Sequence, residues 1–217
     1  MSETVEPHGT PGLLHRSLNE VLNVFASPHD MLGGGGPAAA LTAATAAALT
    51  AKIARESRTT WIEAGGAVAR AETLRIQAQA LIDRDAEAYR QASLLLGSDG
   101  TGHGSVVAPA AAVIAPQERE RRVGEALIYA ADLALAIADA ASEIAWLAAD
   151  VARECPPGLR PDALTAVALA EAVAASAARL VEVNRLLQPG DPRVTTAGEV
   201  AQSAAQARDH ACGVRSA

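Results

Sequence analysis

Alanine occupies 53 of the 217 positions, about a quarter of the chain. It is the best helix former and a poor strand former, and its small side chain lets helix axes approach closely. Aromatic residues, the usual filler of β-sandwich and barrel cores, make up only 2%. The chain therefore reads as all-α, an up-and-down bundle of about five to six helices. Disorder is excluded, because the mean hydropathy is +0.13 and charged residues are only 20%. The length fits a single domain, expected over residues 17–212 behind a flexible tail at 1–16.

Charge narrows the partners. The formal net charge is -7, and the 18 basic residues, 17 Arg and Lys52, are scattered. No basic stripe suits a nucleic acid. Cys155 and Cys212 form neither a disulfide framework nor a metal motif, and none of the five histidines has metal-ligand spacing with another. No metal is expected, and a reducing cytoplasm is the expected compartment. The N-terminus lacks the apolar run of a signal peptide. The most apolar long stretch, 126–149, carries Asp132, Asp139 and Glu143, which argues against a membrane span.

Local signals divide the chain into helices. Ser17 and Glu20 form a capping box that opens a helix to about residue 26. Four glycines, Gly33 to Gly36, precede Pro37, which suits the first position of a helix running to about 58. A helix follows over 67–96, weakened upstream by Gly65 and Gly66. Residues 97–116 form a loop with room for a short helical turn near 106–114. A helix spans 116–154, with Glu125, Asp132, Asp139, Glu143 and Asp150 on one solvated stripe. Asp162 is read as the cap of a helix to about 187. Thr196 and Glu199 match a second capping box, for a last helix ending near Cys212.

One acid breaks the pattern. At about 100° per residue, Leu74, Ala78, Leu81, Ile82, Tyr89, Ala92 and Leu96 share an apolar stripe, and Asp85 falls in its middle. Asp83 falls on the opposite side. A carboxyl aimed into the bundle is costly unless it is paired, hydrogen-bonded or protonated. Burial raises its proton affinity toward the range useful for proton transfer. It either bonds a neighbouring Arg or amide, or it does chemistry. The glycine run offers free amides at a helix N-terminus, a setting for an anion or oxyanion, or else it is only a turn. No Gly-Lys-Ser/Thr follows, so it is not a phosphate loop.

These segments together resemble the cyclodeaminase/cyclohydrolase family. Residues 18–27 (LNEVLNVFAS) look like its opening helix, and 34–41 (GGGPAAAL) resemble its glycine loop and helix start. The most specific piece is 81–89 (LIDRDAEAY), close to the family's LID-x-DA signature. Residues 129–138, Pro161-Asp162-Ala163 and Val183-Asn184 add weaker matches. At 33 and 37 this chain has Gly and Pro where the family usually has Pro and Ser.

The resemblance implies a helical homodimer with a folate-like substrate at the subunit interface. It implies hydrolysis of 5,10-methenyltetrahydrofolate, or cyclisation of 5-formiminotetrahydrofolate with release of ammonia. No cofactor is implied beyond the tetrahydrofolate derivative itself. Asp85 is expected as the acid–base group with Asp83 supporting it. Gly34, Gly35, Gly36, Pro37, Lys52, Asp162 and Asn184 are expected in substrate binding. Lys52 either snorkels to solvent or pairs with the buried acid, and Arg55, Arg58 and Arg84 are candidates for the glutamate tail of a folate. A relative acting on another small molecule, or a non-catalytic helical binding protein, is the alternative.

Overall fold

The computed structural model describes residues 12–30, 32–97, 116–184 and 190–213. Six α-helices run through them: α1 (Leu18–Ala26), α2 (Gly35–Glu56), α3 (Ala64–Gly97), α4 (Pro116–Glu154), α5 (Arg160–Asn184) and α6 (Pro192–Cys212). Two 3-10 turns, Leu13–His15 and Pro157–Leu159, precede α1 and α5. There is no strand among the described residues. The all-α expectation holds.

The four long helices α2 to α5 pack on one another, and α6 lies against α4 and α5. Alanine builds the core as expected. Ala40, Ala43, Ala46, Ala47, Ala51 and Ala54 on α2 are fully or nearly fully buried, as are Ala141, Ala145, Ala148 and Ala149 on α4. The larger buried side chains Ile53, Leu74, Ile137, Ile144 and Val167 fill the spaces between them. Thr50 and Ser57 are buried too, but each hydroxyl donates to the carbonyl four residues earlier, at 2.8 Å, so neither is orphaned.

Several boundaries differ from the expectation. The first capping box forms: Ser17 N–H donates to Glu20 and Glu20 N–H to Ser17 Oγ. The segment before it is docked rather than loose, with Leu13 only 3% exposed; residues 1–11 lie outside the described residues. Helix α2 begins at Gly35 with Gly34 as its N-cap, so Pro37 is its third residue and not its first. Both positions spare the helix a hydrogen bond, since the first N–H groups have no intrahelical partner. Gly65 and Gly66 are inside α3.

Asp162 sits within the first turn of α5 and does not cap it, because Pro157–Leu159 and Arg160 already start the helical path. The second capping box does not form. Asp191 accepts from Arg193 N–H at 2.9 Å and Pro192 follows at the favoured position, so the cap of α6 lies five residues earlier, at Asp191 and not Thr196. The loop at 98–115 and the end of the expected fifth helix lie outside the described residues. The acidic stripe of α4 is exposed as read, with Asp132 bound to Arg193 at 2.6 Å and Glu143 to Arg70. Among the described residues two helical stretches, α2 and Pro157–Val183, are long and apolar enough to cross a membrane by length and composition; α2 is largely buried in the bundle.

Candidate active site

The apolar stripe of α3 forms as the spacing requires. Leu74, Ala78, Leu81, Ile82 and Ala92 are buried. Tyr89 departs from it and is half exposed, at 51%, and the Leu96 side chain lies outside the described residues. Asp85 is turned inward with the stripe and retains only 9% exposure. Its carboxyl rests on the first turn of α2 at Gly36. A Cβ at position 36 would collide with the whole group, with even the farther oxygen, Oδ1, at 2.7 Å. Asp85 has no hydrogen-bond or ion-pair partner among the described residues. Burial without compensation pushes its carboxyl up to about 6.

The helix start beside it is bare. Gly34 provides no side-chain cap, and the first amides of α2 point out of the helix with its positive dipole end. The glycine run divides by function. None of its members has a positive φ; among the described residues only Gly190 and Gly213 do. Unusual backbone therefore explains none of them, and space explains Gly33 and Gly36. Gly33 is passed by the Val24 carbonyl at the end of α1, 2.5 Å from where its Cβ would be. Gly36 makes room for Asp85. A Cβ at Gly35 would touch Leu180 of α5 at 3.3 Å, and one at Gly34 meets only Pro37 at 3.8 Å. Pro37 is fully buried.

Two grooves lie on either side of this point. One, of about 270 Å³, runs between α2 and α5 and is lined by Gly35, Ala38, Ala39, Thr42, Val173 and Ser176, among others. The other, of about 180 Å³, lies between the docked N-terminal segment, α1, α2 and α3, with Leu13, Leu18, Val21, Leu41 and Ile82 in its walls. Asp85 itself lines neither.

Asp83 is on the other side of α3, as the spacing requires. Its Oδ1 accepts from Leu13 N–H at 2.6 Å, and its carboxyl rests on Gly12, 2.5 Å from where a Cβ there would be. It is a latch for the N-terminal segment. Spacing missed this contact because the partner is 70 residues away; the signal in the sequence was Gly12 just ahead of an apolar pair.

Lys52 and Asp162 are brought together, at 3.7 Å, but not to Asp85. Lys52 also meets Glu56 at 4.0 Å, and both Lys52 and Asp162 are more than half exposed. Sixteen residues of α2 separate Lys52 from Gly36, roughly 24 Å along the axis. Lys52 therefore reaches solvent and two carboxylates, not the buried acid. Asn184 ends α5 one turn beyond Leu180; its side chain lies outside the described residues. Of the arginines considered for an anionic tail, Arg55 is engaged by Glu72 at the far end of α2, while Arg58 and Arg84 are exposed. His29 is exposed as well, with its backbone N–H on Ser27 Oγ.

Residues 17–197 match the family model described as formiminotransferase-cyclodeaminase. The chain belongs to the formiminotransferase-cyclodeaminase family. The match begins at the Ser17 cap and takes in Gly33 to Pro37, Asp83, Asp85 and Asn184. Among solved structures, the chain resembles the formiminotetrahydrofolate cyclodeaminase of Thermotoga maritima, with a TM-score of 0.75 over 93% of this chain and 96% of that one. Identity is 19%, so this likeness speaks for the shared cyclodeaminase-type fold. No curated protein matches the chain in sequence.

Proposed function

We propose that this member of the formiminotransferase-cyclodeaminase family is a folate one-carbon enzyme. In this reading it cyclises 5-formiminotetrahydrofolate with release of ammonia, or hydrolyses 5,10-methenyltetrahydrofolate. The observation that carries the reading is Asp85: a buried carboxyl without a partner among the described residues, beside an uncapped helix start, pushed up to about 6. The cyclodeaminase name borne by both the family and the structural relative favours cyclisation.

The chemistry suits a single carboxyl. N10 of the substrate attacks the carbon of the protonated formimino group, forming the N10–C bond while the C=N double bond opens to an amine. Ionised Asp85 takes the N10 proton and then delivers it to the formimino nitrogen. The C–N bond to that nitrogen breaks and ammonia departs, leaving the methenyl bridge. An acid held near 6 performs both transfers close to neutral pH. The bare amides at Gly35 and Gly36 orient the electron-rich edge of the ring system. Asp83 supports the site by fixing the N-terminal segment. No metal or redox cofactor enters this scheme; the tetrahydrofolate derivative is substrate. A cytoplasmic homodimer is part of the proposal.

A second reading, a relative acting on another small molecule, is favoured by one observation. Pro37 is fully buried and offers neither hydroxyl nor N–H, at the place where the family usually has Ser.

The test is absorbance of the methenyl chromophore, followed as gain from the formimino substrate and as loss from the methenyl one. Wild-type turnover is expected, with kcat reduced about 10²- to 10⁴-fold in Asp85→Asn and kcat/KM rising with pH through about 6 as the base form appears. Full activity in Asp85→Asn removes Asp85 from the mechanism. A wild type that neither turns over nor binds either folate moves the assignment to the second reading.

A further inference from the structure

We propose that Gly36 is a positioning residue: its missing side chain is the socket that holds the Asp85 carboxyl inside the bundle. The proposal deepens the acid–base reading of Asp85, and it rests on that reading only for its consequence in catalysis.

The geometry sets Gly36 apart from most glycines of the chain; only Gly12, under Asp83, and Gly33, under the Val24 carbonyl, are approached as closely among the described residues. A side chain at Gly65, Gly66, Gly124, Gly158 or Gly198 would meet nothing within 4 Å. At Gly36 it would meet both oxygens and the Cγ of Asp85, and no other group comes as near. The backbone does not explain the glycine, because its φ is not positive. Nor does helix formation, since a glycine in a helical turn is less favourable than alanine. What remains is volume. A carboxyl on α3 fills the space that a methyl on α2 would take, so the inward-turned Asp85 is seated only because position 36 lacks a side chain.

The socket also sets the environment of the acid. The charged groups on the surrounding elements include Arg16 and Glu20 around the start of α1, and Asp83, Arg84 and Glu87 on α3. Others are Asp139 and Glu143 on α4, and Arg179 and Glu182 on α5. Helix α2 carries no charged side chain before Lys52. Burial is what raises the proton affinity of Asp85. Removing the seat therefore removes the cause.

The experiment is done on the ligand-free full chain, so it is independent of folate turnover. The carboxyl carbon of Asp85 is titrated by ¹³C NMR in wild type, Gly36→Ala and Gly66→Ala. The midpoint is expected near 6 in wild type and Gly66→Ala, and near the ordinary aspartate value of about 4 in Gly36→Ala, whose methyl drives the carboxyl outward. An unchanged midpoint in Gly36→Ala overturns the proposal. Melting temperatures supply the second readout, which holds even if Gly36→Ala folds poorly. Gly36→Ala alone is expected to lower Tm by several degrees. The same change made in an Asp85→Ala background is expected to leave Tm level or raise it, since the clash is gone. An equal loss in both backgrounds overturns the proposal as well. If Gly36→Ala behaves as expected while no folate is turned over, the socket stands and the assignment of substrate fails.

Discussion

Two carboxylates lie two residues apart on α3, and each rests on a glycine from another part of the chain. Asp83 rests on Gly12 and Asp85 on Gly36. They diverge in what else they meet. Asp83 accepts a hydrogen bond from Leu13 N–H at 2.6 Å in a half-buried position, so its charge is matched by a donor. Asp85 is 9% exposed and has no such partner among the described residues. Close approach to a glycine therefore does not by itself make a reactive acid. A donor at the contact makes a carboxyl into a fastener; burial without one among the described residues leaves its proton affinity raised.

The largest effect that can break this contrast is pH-dependent stability. Asp85 has a folded value near 6, against an unfolded value of about 3.9. Between these pH values the folded state binds more protons than the unfolded one, so stability falls as pH rises. The contribution is fully present below about pH 4 and lost above about pH 6, and it amounts to about 3 kcal/mol for a group this buried. Asp139, raised by burial too, adds a slope of the same sign, so the measurement is a difference. Urea midpoints of wild type and Asp85→Asn are compared from pH 4 to 7. The variant is expected to lose most of the decline, whereas Asp83→Asn keeps it. Parallel curves for wild type and Asp85→Asn would mean that the acid is solvated after all.

A smaller effect tests the other half. Asp83→Ala leaves the Leu13 N–H without its acceptor, which costs about 1 kcal/mol at a half-buried site. Asp83→Asn keeps an acceptor oxygen and is expected to cost less. Hydrogen exchange is the discriminating readout: amides of Leu13 to Arg16 should exchange faster in Asp83→Ala, while the amides of α2 and α5 stay protected. Uniform loss of protection across the bundle would show that Asp83 supports the core and not the latch.

How much of this was legible follows from the range of each interaction. The inward turn of Asp85 and the outward turn of Asp83 came from helical periodicity, because both are properties of one helix. The capping box at Ser17 and Glu20 is local and was readable for the same reason. The start of α6 was misplaced because two local signals competed, and Asp191-Pro192 prevailed over Thr196 and Glu199. What no local pattern reports is which glycine meets which carboxylate. Gly12 with Asp83 and Gly36 with Asp85 are contacts between distant segments, set by how the helices cross. Lys52 and Asp162 meet each other and not Asp85 for a like reason: spacing along the sequence does not report that the length of α2 puts this pair far from Gly36.

The smallest prediction concerns a glycine with no carboxylate on it. Gly66 lies inside α3 with open space where its Cβ would be and no positive φ. Alanine there meets no clash and removes backbone freedom from the unfolded chain, so Gly66→Ala is expected to stabilise by up to about 1 kcal/mol. A rise in the urea midpoint with an unchanged slope is the expected result. The comparison with Gly36 is then direct, since the same methyl added to the first turns of two helices should move stability in opposite directions. If Gly66→Ala destabilises instead, α3 does not extend through its two N-terminal glycines in solution, and the cost at Gly36 cannot be assigned to Asp85 by this contrast alone.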